Sequence, residues 1–179
     1  TAVNMDRNKF ILFGGKGRNN KNVKTTQIFN INKPGKSNIN CTQLSDMKYA
    51  RATPGVCKLH NNTQIVVAGG LVFGKGSDKM EIYNINKNKY TLYSAKFNFE
   101  HKFPKIYNDP YNHNIIYIIG DWLNMGGKKQ SLGYIEWCDL REKKKKFNML
   151  FEESLDQTFE FVGVRPNLWE VRTMECFTL

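Results

Sequence analysis

Two glycine-rich segments are the first residues of this chain whose types and spacing could do chemistry. Gly14-Gly-Lys-Gly17 and Gly74-Lys-Gly76 resemble loops that bind phosphate through backbone N–H groups. Such a loop normally ends in Gly-Lys-Ser or Gly-Lys-Thr and opens a helix. Here each segment lies between two apolar, strand-like runs. Because this context offers no helix N-terminus to hold an anion, the pattern does not predict a phosphate site.

The histidines and the acidic residues are the next candidates for catalysis. His60, His101 and His113 fall in polar turns or linkers, with no serine or cysteine in a matching context, so we interpret them as surface histidines. A short acidic segment could supply an acid–base group, but a solvated linker is the favoured interpretation; its carboxylates are Glu152, Glu153 and Asp156. The sequence predicts no catalytic residue, and we expect a protein that is not an enzyme.

The cysteines point to neither a metal site nor a disulfide framework. They stand far apart, without a C-x-x-C pair or a histidine at metal-ligand spacing; they are Cys41, Cys57, Cys138 and Cys176. Reduced structural thiols of an intracellular, cytoplasmic protein are the favoured interpretation. We therefore expect no metal and no cofactor.

An internal repeat indicates which elements must position any functional residue. An apolar run followed by a glycine pair occurs at residues 10–15 and again at 65–70, and 55 residues separate Gly14 from Gly69. A third copy at 115–121 places Gly120 another 51 residues on, and a weaker fourth copy at 168–172 lacks the glycines. A period near 50 residues is typical of β-propeller blades.

Each copy divides into four strand-length apolar runs joined by turns rich in asparagine and lysine. The chain is thus predicted to be all-β, with four-stranded antiparallel blades at about residues 1–45, 46–96 and 97–151 and an incomplete blade at 152–179. We interpret residues 1–179 as one partial propeller, an incomplete ring. The remaining blades would come from the same longer chain or from a second copy, since an open stack exposes a sheet face and a strand edge.

The residues of these copies resemble the kelch repeat. The second copy matches best, because Arg51 precedes its first strand, Gly69-Gly70 follows its second, Tyr83-Asn84 lies in its third and Tyr90 begins its fourth. The first copy has Gly14-Gly15 and Phe29-Asn30. The third departs from the pattern, with Gly120-Asp121 and Cys138-Asp139, although Phe147 takes the aromatic place.

The resemblance implies a protein–protein interaction module, a scaffold that presents loops to a partner as a ubiquitin-ligase adaptor or cytoskeletal scaffold does. The loops between second and third strands and the linkers between blades would share one face, which binds the partner. On this chain those loops are residues 16–24, 71–79 and 122–132. The residues expected to contact the partner are Arg18, Arg51, Phe73 and Trp122.

Two alternative functions stay open at this point. One is a kelch-type enzyme acting on a sugar, an oxidase or an epimerase, although the histidines are poorly placed for copper. The other is binding of nucleic acid or another anionic surface by a basic face formed by the turns between third and fourth strands. That face would contain Lys33, Lys36, Lys87, Lys89, Arg141, Lys143, Lys144, Lys145 and Lys146.

The net charge of +11 supports the second alternative only weakly. Only six of the 27 cations are arginine, and lysine and asparagine are equally abundant at 21 residues each. Such a joint excess suggests compositional bias, whereas a nucleic-acid surface gathers arginine and aromatic residues on one face. We therefore expect a protein partner and no nucleic acid. The apolar runs are also too short to span a bilayer, so no membrane insertion is expected.

Overall fold

The computed structural model describes residues 1–31, 39–120, 122–125, 128–131, 135–142 and 145–151. Three four-stranded antiparallel sheets follow one another along the chain. The first contains β1 (Ala2–Asp6), β2 (Lys9–Lys16), β3 (Asn22–Ile31) and β4 (Ile39–Gln43). The second contains β5 (Gly55–Lys58), β6 (Gln64–Ala68), β7 (Met80–Asn84) and β8 (Lys89–Leu92). The all-β prediction is confirmed.

The third sheet has an insertion between its second and third strands. It consists of β9 (Lys105–Asn108), β10 (Ile115–Ile119), β13 (Ile135–Asp139) and β14 (Asn148–Phe151). Between β10 and β13 lies a separate hairpin of β11 (Trp122–Met125) and β12 (Lys128–Ser131), where the sequence predicted only a loop. The predicted fourth blade at 152–179 lies outside the described residues. The sheets have the order of propeller blades, and the ring they begin is not closed.

Strand register places equivalent residues of the three blades in the same position. In each blade, one residue of the second strand pairs with a polar residue of the third: Leu12 with Gln27, Val67 with Glu81, and Ile118 with Glu136. Side chains alternate between the two faces of a strand, so these three polar residues lie on the same face of their sheets. In the second and third blades this face packs against the preceding blade.

Two hydrophobic cores join the blades. The core between the first and second blades contains the buried residues Ile11, Phe13, Met47, Ile65, Val67 and Tyr83. The core between the second and third blades contains Leu59, Val66, Ala68, Met80, Tyr93, Ala95, Phe97, Ile106, Ile116, Ile118, Cys138 and Phe147. Burial raises the pKa of the Cys138 thiol to about 12. This thiol is therefore protonated and inert at neutral pH, as expected of a structural cysteine.

The first glycine of each pair is required by crowding where a blade meets the following linker. Gly14 has φ +57°, and a Cβ at this position would lie 2.3 Å from the carbonyl oxygen of Arg51. Gly69 has φ +59°, and a Cβ there would lie 2.6 Å from Cγ of Pro104. Only glycine satisfies both the left-handed backbone and the close approach. Gly14 and Gly69 therefore have a structural role at the junctions between blades.

No helix long and apolar enough to cross a membrane occurs among the residues that the structure describes.

Candidate binding surface

Arg51, predicted to contact a partner, lies instead between the first and second blades and is completely buried. Its Nη2 donates to Oε1 of Glu81 at 2.8 Å, and its Nη1 donates to the carbonyl oxygens of Gly69 at 2.8 Å and Lys79 at 3.1 Å. A guanidinium with no exposed surface cannot bind a partner's peptide. The prediction for Arg51 was therefore wrong, because its contact with Glu81, 30 residues away in the sequence, depends on how the linker packs on the second blade.

Glu81 completes the connection between the blades. Its Oε2 accepts from the backbone N–H of Lys48 at 2.7 Å, and its Oε1 accepts from that of Tyr49 at 3.3 Å. Burial lowers the pKa of Arg51 from its usual value, while the neighbouring Glu81 carboxylate acts in the opposite direction. Hydrogen bonds at both carboxylate oxygens offset the desolvation cost of the ion pair. This cluster fixes the linker to the second blade.

His101 and Glu136 repeat the arrangement at the next junction. Nε2 of His101 lies 3.1 Å from Oε1 of Glu136, and both side chains are completely buried. Glu136 also accepts from the backbone N–H groups of Asn98 at 2.7 Å and Phe99 at 3.2 Å. The interpretation of His101 as a surface histidine was wrong, since a linker residue becomes buried when two blades pack together.

His60 and His113 are exposed, as predicted, but they contact each other. They lie in the turns between the first and second strands of neighbouring blades, with their rings stacked 3.9 Å apart. Burial, followed by the proximity of His113, lowers the pKa of His60. The described part of the chain contains no group of three or more histidine, cysteine, aspartate or glutamate side chains that could hold a metal ion. This pair therefore forms a surface contact between blades.

A cavity of about 250 Å³ lies where the first strands of the three blades approach one another. It is lined by Thr1, Ala2, Thr53, Pro54, Gly55, Val56, Phe103, Pro104, Lys105 and Ile106. Lys105 is the one ionisable side chain in this lining. Among the described residues, this lining places no carboxylate beside Lys105.

Phe73 occupies the tip of a tight turn and is the most exposed large apolar residue described, at 96%. The turn is closed by hydrogen bonds from N–H of Val72 to O of Lys75 at 2.9 Å and from N–H of Lys75 to O of Val72 at 3.1 Å. Phe73 and Gly74 have φ values of +50° and +81°. Positive φ at both central residues is characteristic of a type I′ turn. The ring therefore projects into solvent, on a backbone that hydrogen bonds hold in place.

Arg18 lies on a second tip beside the first. Its turn is closed by a 2.8 Å hydrogen bond from Gly17 N–H to Lys21 O, and both Arg18 and Lys21 are exposed. Nδ2 of Asn22 donates to the carbonyl oxygen of Leu71 at 2.6 Å, which links the two loops across the blade boundary. We call residues 16–21 and 71–75 together the loop-tip surface. Arg18 and Phe73, both predicted site residues, lie on the two loops that this hydrogen bond links.

Trp122 begins β11 and pairs with Ser131 in the inserted hairpin. Its role in partner binding stays a prediction.

The predicted basic face presents fewer uncompensated cations than its sequence suggests. Arg141 donates to both carboxylate oxygens of Asp139, at 3.1 and 2.7 Å. Lys145 donates to the carbonyl oxygen of Leu140 and lies 5.5 Å from the centre of the Tyr93 ring. Of the other cations in this set, Lys87, Lys89 and Lys146 are exposed, whereas Lys33, Lys36, Lys143 and Lys144 lie outside the described residues. Part of the positive charge of this face is thus engaged in contacts within the protein.

Comparison with known proteins supports the fold. No family model matches the chain, and no curated protein matches its sequence. A fungal alcohol oxidase of the AA5 family, solved in complex with copper, is similar over 66% of this chain, with a TM-score of 0.55 and 16% sequence identity. The similar region is 26% of the oxidase chain, so this chain corresponds to about a quarter of that protein. At this identity the similarity concerns the fold alone.

Proposed function

We propose that this chain is part of a kelch-type propeller that binds another protein through its loop-tip surface. The exposure of Phe73 at 96% on a hydrogen-bonded turn carries the proposal. Large aromatic residues dominate binding energy when a partner desolvates them, and a turn that is already ordered loses little entropy on binding. The glycine pairs and the linker cation Arg51 support the kelch relationship, because each stabilises a junction between blades.

Within this proposal the protein acts as an intracellular, cytoplasmic scaffold or ubiquitin-ligase adaptor. The rest of the propeller comes from the same longer chain or from a second copy.

Replacing Phe73 with asparagine is expected to remove most of the binding while leaving the fold intact. Asparagine tolerates positive φ well, so Phe73→Asn keeps the turn and deletes only the ring. Loss of a binding hot spot costs at least about 2 kcal/mol, or roughly 30-fold in Kd. The measurement is affinity capture from cells that express the protein, with quantitative mass spectrometry, followed by Kd determination with each protein recovered.

Tyr111→Asn provides the matched control. Tyr111 is also an exposed aromatic residue, at 77%, but it lies in the turn between β9 and β10, at the opposite end of the blades. This variant should recover the same proteins as the wild type. Equal recovery of every protein by the wild type and both variants would refute the proposal.

Copper-dependent alcohol oxidation is the second candidate, and the similarity to the AA5 oxidase favours it. The described residues do not fit a copper centre. His101 is buried against Glu136, and His60 and His113 stack on each other at the surface. The described residues contain no group of three or more histidine, cysteine, aspartate or glutamate side chains that could hold a metal ion. Copper titration of the full chain, followed by an assay for alcohol-dependent hydrogen peroxide, tests the candidate. We expect no peroxide above that of a His60→Ala/His113→Ala control, and stoichiometric copper with turnover would replace the interaction proposal.

A further inference from the structure

The shape of the loop-tip surface limits what kind of protein can bind it. Phe73 projects from the end of a two-residue turn, with nothing described close enough to cover its ring. A side chain buries most of its area on binding only if one of the two partners is concave. Because this surface is convex at Phe73, the partner must supply the pocket. A short extended peptide has no such pocket, whereas a folded domain does.

The charge around Phe73 limits the partner further. The exposed cations of the loop-tip surface are Lys16, Arg18, Lys21 and Lys75. The sequence has no acidic residue between Asp6 and Asp46 or between Asp46 and Asp78. Asp46 already contacts Lys24, and Asp78 contacts Lys79 and Lys96. The surroundings of the ring are therefore strongly positive.

Glu100 is an exposed acidic residue at the edge of this region, where its backbone and Cβ lie beside Gly76. One carboxylate against four cations leaves the surface positive. Complementary charge around an apolar contact steers association and excludes partners of the wrong sign. The surface is thus complementary to an apolar pocket with an acidic rim.

We propose that the loop-tip surface inserts Phe73 into an apolar pocket, bordered by carboxylates, on a folded partner protein. This inference rests on the proposed function and adds the chemistry and shape of the partner. The hydrogen bond from Asn22 to Leu71 holds the two tips together, so the cations and the ring engage the partner as one rigid unit. The cations accelerate encounter, and the ring slows dissociation.

Photo-crosslinking from position 73 identifies what this residue touches. The full chain carries p-benzoylphenylalanine at position 73, or at position 111 as the control, and is irradiated in extract of cells that express it. The expected product at position 73, absent at position 111, joins the chain to an acidic protein at residues lining a pocket of a folded domain. A product with an extended, unfolded segment or with a basic surface would overturn the inference while leaving the proposed function standing. Equal products at both positions would overturn both.

Binding kinetics with the crosslinked protein test the two parts of the surface separately. Phe73→Asn should raise the dissociation rate by about tenfold or more. Arg18→Glu/Lys21→Glu/Lys75→Glu should lower the association rate by about tenfold or more and reverse its dependence on salt, because the surface then carries the same sign as the acidic rim. The matched control Lys87→Glu/Lys89→Glu/Lys146→Glu has the same charge change at the opposite end of the blades and should change neither rate. If the control lowers the association rate as much, the acidic-rim inference is wrong.

Anionic lipid also attracts an apolar tip surrounded by cations. Binding to lipid vesicles is therefore measured as well. Co-sedimentation with phosphatidylserine–phosphatidylcholine vesicles should not exceed that with phosphatidylcholine alone. Sedimentation that depends on phosphatidylserine and is lost in Phe73→Asn would overturn the inference in favour of a membrane surface.

Discussion

Replacing Arg51 with methionine should destabilise the protein by about 3–5 kcal/mol, since removal of one member of a buried ion pair leaves the other charge without compensation. Glu81 would remain completely buried, and the carbonyl oxygen of Gly69 would lose the Arg51 donor. The carbonyl oxygen of Lys79 would keep its hydrogen bond from Gly69 N–H and lose the one from Arg51. Methionine fills a similar volume, so the loss reports mainly on charge and hydrogen bonding. Urea unfolding of the wild type and Arg51→Met at neutral pH measures the difference.

Two further variants show whether burial is the cause. Arg51→Met/Glu81→Gln removes the uncompensated negative charge of Glu81 and keeps an oxygen that can accept from Lys48 N–H. The double variant should therefore recover about 1–3 kcal/mol of the lost free energy of unfolding. The first blade already has glutamine, Gln27, at the equivalent position. Arg141→Met breaks the exposed pair with Asp139 and should cost less than about 1 kcal/mol. Equal losses for Arg51→Met and Arg141→Met would contradict the role given to the buried cluster.

Replacing Gly14 with alanine should cost about 3 kcal/mol or more. The new methyl group would approach the Arg51 carbonyl oxygen to 2.3 Å and Cε of Met47 to 2.9 Å. Overpacking of this kind costs about 1–3 kcal/mol, and the left-handed backbone adds about 1–2 kcal/mol for a residue with Cβ. Because the clash involves backbone, it can be relieved only by moving the linker. Thermal and urea unfolding both measure the effect.

Gly74→Ala separates the two contributions. Gly74 also has positive φ, at +81°, but a Cβ there would have no neighbouring atom within 4 Å. This variant should therefore lose only the backbone contribution of about 1–2 kcal/mol. A loss in Gly14→Ala that does not exceed that in Gly74→Ala would show that the first linker is free to move, contrary to the packing described.

Strand positions could be predicted because their causes are local. An apolar run followed by glycines, as at residues 65–70, needs only neighbouring residues to be recognised, and β6 and β10 occur where the runs indicated. The inserted hairpin was missed because the sequence of β11 and β12 lacks alternating apolar residues. A signal for the buried clusters was present: Glu81 and Glu136 each follow the first residue of the third strand and stand between apolar residues, in a strand otherwise suited to burial.

The sequence by itself determined the repeat, the four-stranded blades and the need for glycine where each second strand ends. Only the tertiary structure decided which of the candidate residues are exposed. Arg51 and Phe73 were equivalent candidates in the sequence, but strand register brings Glu81 to Arg51 from 30 residues away and buries both. Among the residues that the structure describes, none covers the ring of Phe73, which is 96% exposed. Burial of a linker residue depends on how two blades pack. Because that packing brings together residues that are far apart in the sequence, no local pattern indicates which of them will pair.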